Sequence, residues 1–198
     1  MIRYDCLKLL APRITNHLVV TSLSGQKNRM GKPVATSGQP FGWNDGYGAR
    51  RRHRIGSLPH RKVIVLESDG SMLLSLFNLP TLANLDPENL KVFVFDNQVY
   101  SGTRISEPTA TAGKTDLARM ARGAGIEHAV TVASLTEFRA EMETAVQESG
   151  LKFVVCKIEE SVGHRAILRT DLDPLENKYQ FVRYLERTEG RAIFRGRG

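Results

Sequence analysis

Apolar positions along this chain come in short dense runs separated by polar, turn-forming stretches. Leu18 to Leu23 (LVVTSL), Val63 to Leu66, Val92 to Phe95, Ala129 to Val132 and Lys152 to Ile158 (KFVVCKI) are rich in β-branched and aromatic side chains, which predicts buried strands. Between them, apolar residues fall at helical spacing. Asp5 to Leu10 places Cys6, Leu7, Leu9 and Leu10 this way and is limited by Pro12. Met72 to Leu85 predicts a mostly apolar helix, and Asp86-Pro87-Glu88-Asn89 a turn into the next strand. Lys114 to Gly123 predicts a helix with Thr115 or Asp116 near its start. Leu135 to Glu148 aligns Leu135, Phe138, Met142, Ala145 and Val146 on one face. Strands alternating with helices predict an α/β fold, a three-layer sandwich with a mainly parallel sheet. Residues 1–160 are expected to form this domain. Residues 161–198 read as a polar C-terminal extension in which Tyr179, Phe181, Val182, Tyr184 and Leu185 form a short docking helix.

One block breaks the pattern. Lys27 to Gly56 has no usable periodicity and holds six of the 17 glycines and the sole tryptophan, Trp43. It carries seven Lys or Arg against one acid, a net of +6, while the other 168 residues carry 21 basic and 20 acidic side chains. The overall charge of +7 is therefore local, an atypical basic loop at 27–56 on a nearly neutral body, which argues against a nucleic-acid binder. No apolar run approaches the roughly 20 residues that cross a bilayer, and Arg3, Asp5, Lys8 and Arg13 interrupt any leader-like stretch, so no membrane role and a cytoplasmic address are expected. Cys6 and Cys156 are too few and too isolated for a disulfide framework or zinc site and read as buried free thiols. The five histidines show no ligand spacing, and no catalytic acid, base or nucleophile is assignable.

The chemistry concentrates between Lys62 and Thr103. The Val63 strand breaks at Ser68-Asp69-Gly70-Ser71, a helix follows, and the next strand ends at Asp96-Asn97. Strand, helix, strand is a parallel crossover, and ligands in open α/β sheets sit at the carboxyl ends of strands. Asp69 and Asn97 fall at two such ends. Hard oxygen donors beside a helix start suit a cation and a phosphate together. Gly70 and Ser71 offer backbone N–H groups there, though Ser71 equally suits a helix cap. Tyr100 to Gly113, rich in Ser, Thr, Gly and Pro, reads as a loop that covers the site.

Ser-Asp-Gly-Ser, 24 residues from Met72 to Phe95, then Asp-Asn resembles the motif of thiamine diphosphate enzymes, written GDG, a spacer of that order, and NN. The segment SMLLSLFNLPTLANLDPENLKVFVFDNQVYSGT resembles the small, or beta, subunit of sulfopyruvate and phosphonopyruvate decarboxylases. The resemblance implies a thiamine diphosphate-binding fold of the diphosphate-holding type. It implies Mg²⁺ held by the Asp69 carboxylate, the Asn97 side-chain oxygen and the Val99 carbonyl. Ser68, Gly70, Ser71, Tyr100 and Ser101 would contact the cofactor. Ser68 departs from the usual Gly, Asp96 from the usual first Asn, and Val99 from a common Gly. The resemblance further implies a decarboxylase of a small 2-oxo acid. Activity would need a pyrimidine-binding-domain partner subunit or a homo-oligomer to complete the site.

Relatives carry a glycine- and methionine-rich turn and a small-residue helix before the Lys62 strand, where this chain reads NDGYGARRRHRIG. Degenerate codons for Asn44 to Gly56, read from the second base of each triplet, permit MMGTAPAAGIGLG, the kind of segment the family has there. The same shift at Asn28 to Met30 permits Thr-Glu-Trp. A frame displacement from near Gln26 to near Ser57 accounts together for the local charge, the lost periodicity and the glycine count.

Overall fold

A computed structural model describes residues 1–21, 35–36, 61–100, 107–159 and 174–190. Most of the basic block, together with Ser101 and Thr103, lies outside these residues. Six strands form one sheet: β1 (Leu18–Thr21), β2 (Ala35–Thr36), β3 (Val63–Ser68), β4 (Leu90–Asp96), β7 (Ala129–Val132) and β8 (Lys152–Lys157), in the order β2-β1-β3-β4-β8-β7. Every pairing in it is parallel. Two short strands, β5 (Val99–Tyr100) and β6 (Glu107–Pro108), pair antiparallel beside it.

A parallel sheet must be covered on both faces, so its central strands are apolar throughout rather than alternating. All seven residues of β4 are buried, as are the first five of β3 and of β8. Side chains still alternate between faces. Val63, Val65, Val92, Val94, Phe153 and Val155 pack with α2 (Asp69–Leu73), α3 (Asn78–Leu85), α4 (Leu117–Gly123) and Leu185 of α6 (Pro174–Glu189). Ile64, Leu66, Phe93, Phe95, Val154 and Cys156 pack with α1 (Arg3–Leu10) and α5 (Leu135–Gln147). This is the expected three-layer sandwich. Phe138 of α5 packs on both Phe93 and Phe95, with centroids 5.8 and 6.4 Å apart. Both thiols are buried as expected, and burial raises the Cys6 pKa to about 12.

Local signals fix the helix starts. Ser134 and Glu137 form a reciprocal capping box at α5. Asp116 caps α4 by accepting from Arg119 N–H at 2.9 Å. The docking helix is longer than its apolar cluster implied, and Tyr184 accepts a 2.8 Å hydrogen bond from Arg61.

One element differs from the expectation. The helix read over Met72 to Leu85 is two helices, α2 and α3, joined by a turn at 74–77. The Ser75 hydroxyl donates back to the Ser71 and Met72 carbonyls at 2.8 and 3.3 Å, and the Asn78 amide donates to Ser75 O at 3.1 Å. These bonds offer the backbone an alternative to the helical ladder. Pro80 then sits in the first turn of α3, where its missing N–H costs nothing.

Candidate cofactor and metal site

The crossover puts the chemistry where two neighbouring strands end. In the β3–β4 register Ser68 lies beside Phe95, so Asp69 and Asp96 leave the sheet side by side and Asn97 follows one residue on. Ser68 caps α2. Its hydroxyl oxygen accepts from Ser71 N–H at 3.4 Å and lies 3.2 Å from the Ser71 hydroxyl, so the Ser in place of the usual Gly is accommodated as a cap. Asn97 closes a small turn, its side-chain oxygen accepting from Val99 N–H at 3.4 Å. Gln98 between them has φ 63°, the left-handed conformation that reverses the chain at the strand end.

That reversal starts the β5–β6 hairpin, which brings Thr109 and Thr111 over the carboxylates. Asp69 Oδ2 accepts from the Thr109 hydroxyl at 2.7 Å and lies 3.2 Å from that of Thr111. Thr111 donates to Asp96 Oδ1 at 2.7 Å, and Gln98 N–H donates to the same oxygen at 3.1 Å. On the other side Lys157, the residue paired with Asp96 across β4 and β8, places its ammonium 2.5 Å from Asp96 Oδ2. Asp69 and Asp96 are each only 1% exposed. Burial pushes the Asp69 carboxyl above its usual range. The neighbouring Asp96 charge adds to the rise, while the threonine hydroxyls and Gly70 N–H restrain it.

Tyr100 leans against the start of α2. A Cβ on Gly70 would lie 2.6 Å from Tyr100 Cε1 and 2.8 Å from Cδ1, so the ring rests directly on the glycine backbone. Only a residue without a side chain allows that approach.

The structure thus gathers Asp69, Gly70, Ser68, Ser71, Asn97, Val99 and Tyr100 at one end of β3 and β4, while Ser101 lies outside the described residues. Sequence reading missed Thr109, Thr111 and Lys157. The threonines were hidden in a stretch whose composition says only loop. Lys157 needed strand register, which pairs it with Asp96. The oxygens available there include a carboxylate, an amide oxygen and main-chain carbonyls, the hard-oxygen chemistry that suits Mg²⁺. Among the described residues no three His, Cys, Asp or Glu side chains gather into a group that could hold a metal ion. The residues present fit a hard cation shared with a phosphate.

Comparison with known proteins bears on which ligand that is. The sequence profile of the thiamine pyrophosphate enzyme C-terminal TPP binding domain matches residues 41–156. The chain belongs to the thiamine pyrophosphate enzyme family. Within that family it is 31% identical over 127 residues to sulfopyruvate decarboxylase subunit beta of Methanocaldococcus jannaschii, covering 64% of this chain and 65% of that one. It is 24% identical over 186 residues to the subunit of the same name from Methanococcus maripaludis, covering 93% and 98%. It is 27% identical over 150 residues to phosphonopyruvate decarboxylase of Streptomyces viridochromogenes, covering 75% of this chain and 37% of that protein. Two solved structures share the fold. An enzyme from Mycobacterium smegmatis described as thiamin diphosphate-dependent superposes with a TM-score of 0.60 at 19% identity, over 81% of this chain and 32% of that one. Benzoylformate decarboxylase from Polynucleobacter necessarius gives 0.58 at 16% identity, over 82% and 34%. This thiamine pyrophosphate enzyme domain therefore spans just under two thirds of the first of these relatives and about a third of each solved chain. No helix among the described residues is long and apolar enough to cross a membrane.

Proposed function

We propose that this chain is the Mg²⁺- and diphosphate-holding subunit of a thiamine diphosphate-dependent decarboxylase acting on a small 2-oxo acid of the sulfopyruvate or phosphonopyruvate type. The observation that carries the proposal is the placement of Asp69 and Asn97 at adjacent strand ends inside the segment matched to the family. Asp69, Asn97 and the Val99 carbonyl would hold the cation. Ser71, the Gly70 N–H and the Ser68 cap would face the diphosphate, with Tyr100 and Ser101 along its flank. The α2 helix has five residues, so its dipole adds little and the cation carries most of the attraction. Bound thiamine diphosphate would supply the carbanion stabilisation that lets a 2-oxo acid lose CO₂. What this chain would contribute is a buried carboxylate, that of Asp69, to anchor the cation.

Two relatives are named as beta subunits, which supports a partner chain that supplies the pyrimidine-binding domain and completes the site. A heteromeric assembly follows from that reading. Calorimetry of the full chain with thiamine diphosphate and Mg²⁺, alone and with the product of a neighbouring pyrimidine-domain gene, tests it. Saturable binding and CO₂ release from sulfopyruvate or phosphonopyruvate by the pair support the proposal. No binding in either format rejects it.

A second reading, a catalytically inactive partner of the same fold, is favoured by the basic block. Seven cationic side chains at 27–56 suit neither a buried helix nor a turn supporting a bent cofactor. The nucleotide sequence separates the cases. If the second frame over 44–56 encodes the small-residue segment, the block is a frame displacement and an in-frame chain should bind cofactor. If it encodes no such peptide, the displacement is rejected and the inactive reading gains.

A further inference from the structure

Asp69 Oδ2, Thr109 Oγ1, Thr111 Oγ1 and Asp96 Oδ1 form a line of four oxygens with successive separations of 2.7, 2.8 and 2.7 Å. All four side chains are at most 4% exposed, so water does not take part from the surface. Each of the three contacts needs a proton to be attractive. Each hydroxyl supplies one, and ionised carboxylates supply none. Two protons cannot fill three contacts. The Thr111 proton is the more firmly assigned, because Thr111 lies 2.7 Å from Asp96 Oδ1 and 3.2 Å from Asp69 Oδ2. Asp96 is itself fixed, by Lys157 at 2.5 Å and Gln98 N–H at 3.1 Å. That leaves the Thr109 proton with two acceptors at nearly equal distance, Asp69 Oδ2 and Thr111 Oγ1.

We propose that Thr109 is a two-position hydrogen-bond donor, a positioning residue that satisfies Asp69 in the metal-free protein and frees its Oδ2 for a divalent cation by turning the hydroxyl to Thr111. This rests on the reading of Asp69 as a metal ligand. A buried carboxylate needs a donor when no cation is present, because an unpaired buried charge is costly. A fixed backbone donor would go on competing with the cation. A hydroxyl does not, since rotation about the Cβ–Oγ bond moves only a hydrogen and no heavy atom. Thr111 makes the turn possible by presenting an acceptor whose own proton is engaged with Asp96.

The two threonines therefore have opposite effects. Removing the Thr109 hydroxyl takes a donor from the metal-free site and a competitor from the cation. Removing the Thr111 hydroxyl takes away the alternative acceptor and holds the Thr109 proton on Asp69. The test uses the full chain, Mg²⁺ with thiamine diphosphate, calorimetry, and melting in the presence of a chelator. Thr109→Val should lower the metal-free melting temperature by about 3–6 °C and lower the Kd by about threefold to tenfold. Thr111→Val should raise the Kd by about the same factor. Thr109→Ser, which keeps the rotor, should restore both wild-type values. Parallel weakening by both valine variants overturns the two-position donor while leaving the metal site standing, as does a Thr109→Val chain whose metal-free melting is unchanged. A wild-type chain whose binding is independent of Mg²⁺ overturns the ligand reading beneath it.

Discussion

The two ends of the sheet both bury charge, and they satisfy it differently. At the carboxyl end are Asp69 and Asp96; at the amino end are Lys91 and Lys152, with the half-buried Lys62 beside them. Lys91 is 1% exposed and gives its ammonium to the main-chain carbonyls of Glu88, at 3.4 Å, and Gly150. Lys62 donates to the Val146 carbonyl at 2.5 Å, and Lys152 to the Glu148 carboxylate at 2.8 Å. Carbonyls of turns and helix ends cannot rotate away, so the Lys62 and Lys91 ammonium groups bind the backbone and stay bound. At the opposite end Asp96 is held by Lys157 and Gln98 N–H, whereas Asp69 Oδ2 is met by the Thr109 and Thr111 hydroxyls, which can turn. Buried charge met by backbone is structural. Buried charge met by rotors remains available to a ligand. Burial moves Asp69 and Lys91 alike in the direction of neutrality, raising the one and lowering the other to about 8, so a perturbed titration alone would not tell the two ends apart.

The largest expected effect separates the two ends directly. Asp69→Ala should weaken binding of thiamine diphosphate with Mg²⁺ by about 100-fold or more, since even groups that only orient metal ligands are worth 10- to 100-fold. Lys91→Met should leave that affinity within about twofold, because its contacts lie at the far end of β4. Equal losses in the two variants, read by calorimetry, would break the distinction.

A second variant sharpens what holds the carboxyl end together. Lys157 is the counter-ion of Asp96. Lys157→Met leaves a buried carboxylate with only neutral donors. Because Lys157 is one third exposed, the expected loss is about 2–3 kcal/mol, below the figure for a fully buried pair. Adding Asp96→Asn should recover most of it, since the pair is then removed together. Denaturant melts of the two singles and the double measure the coupling. Additive losses would mean that Lys157 does not serve Asp96.

How much of this was legible depends on whether the signal was local. Runs such as Val92 to Phe95 announced buried strands, and Thr115 or Asp116 announced a helix start, because propensity and capping act within a few residues. The break at 74–77 was not legible. Leu74 and Phe77 continue the apolar pattern yet are 61% and 53% exposed, so periodicity misrepresents which side chains face the core. Asp69 and Asn97 could be singled out because the motif ties them to fixed positions in the sequence. Thr109 and Thr111 act across 40 and 42 residues, through a hairpin whose existence depends on Gln98 adopting a positive φ. Nothing in a Ser-, Thr- and Pro-rich stretch specifies that path.

The smallest effect expected is a pH dependence at the amino end, and it tests whether that charge is a burden borne by the fold. The pKa of Lys91 falls from 10.5 to about 8, chiefly through burial and then through repulsion by Lys62 and Lys152. Between these values the unfolded chain holds a proton that the folded chain has released, so stability rises with pH. The slope from this one group is about 1.4 kcal/mol per pH unit where the difference is complete, and less near pH 8. Two thiols act the other way. Cys6 and Cys156 are raised from 9.0 by burial, so above about pH 9 the unfolded chain loses protons that the folded chain keeps, and stability falls. The thiols of the unfolded chain begin to titrate in the same window from about pH 8 to 9, so the lysine contribution is read as the difference from Lys91→Met, which keeps both thiols. Denaturant melts across it should show wild type gaining on Lys91→Met by somewhat under 1 kcal/mol. A constant difference across the window would mean that the Glu88 and Gly150 carbonyls hold the ammonium well enough to offset its burial, and the amino end would then be a cation site in balance rather than a strained one.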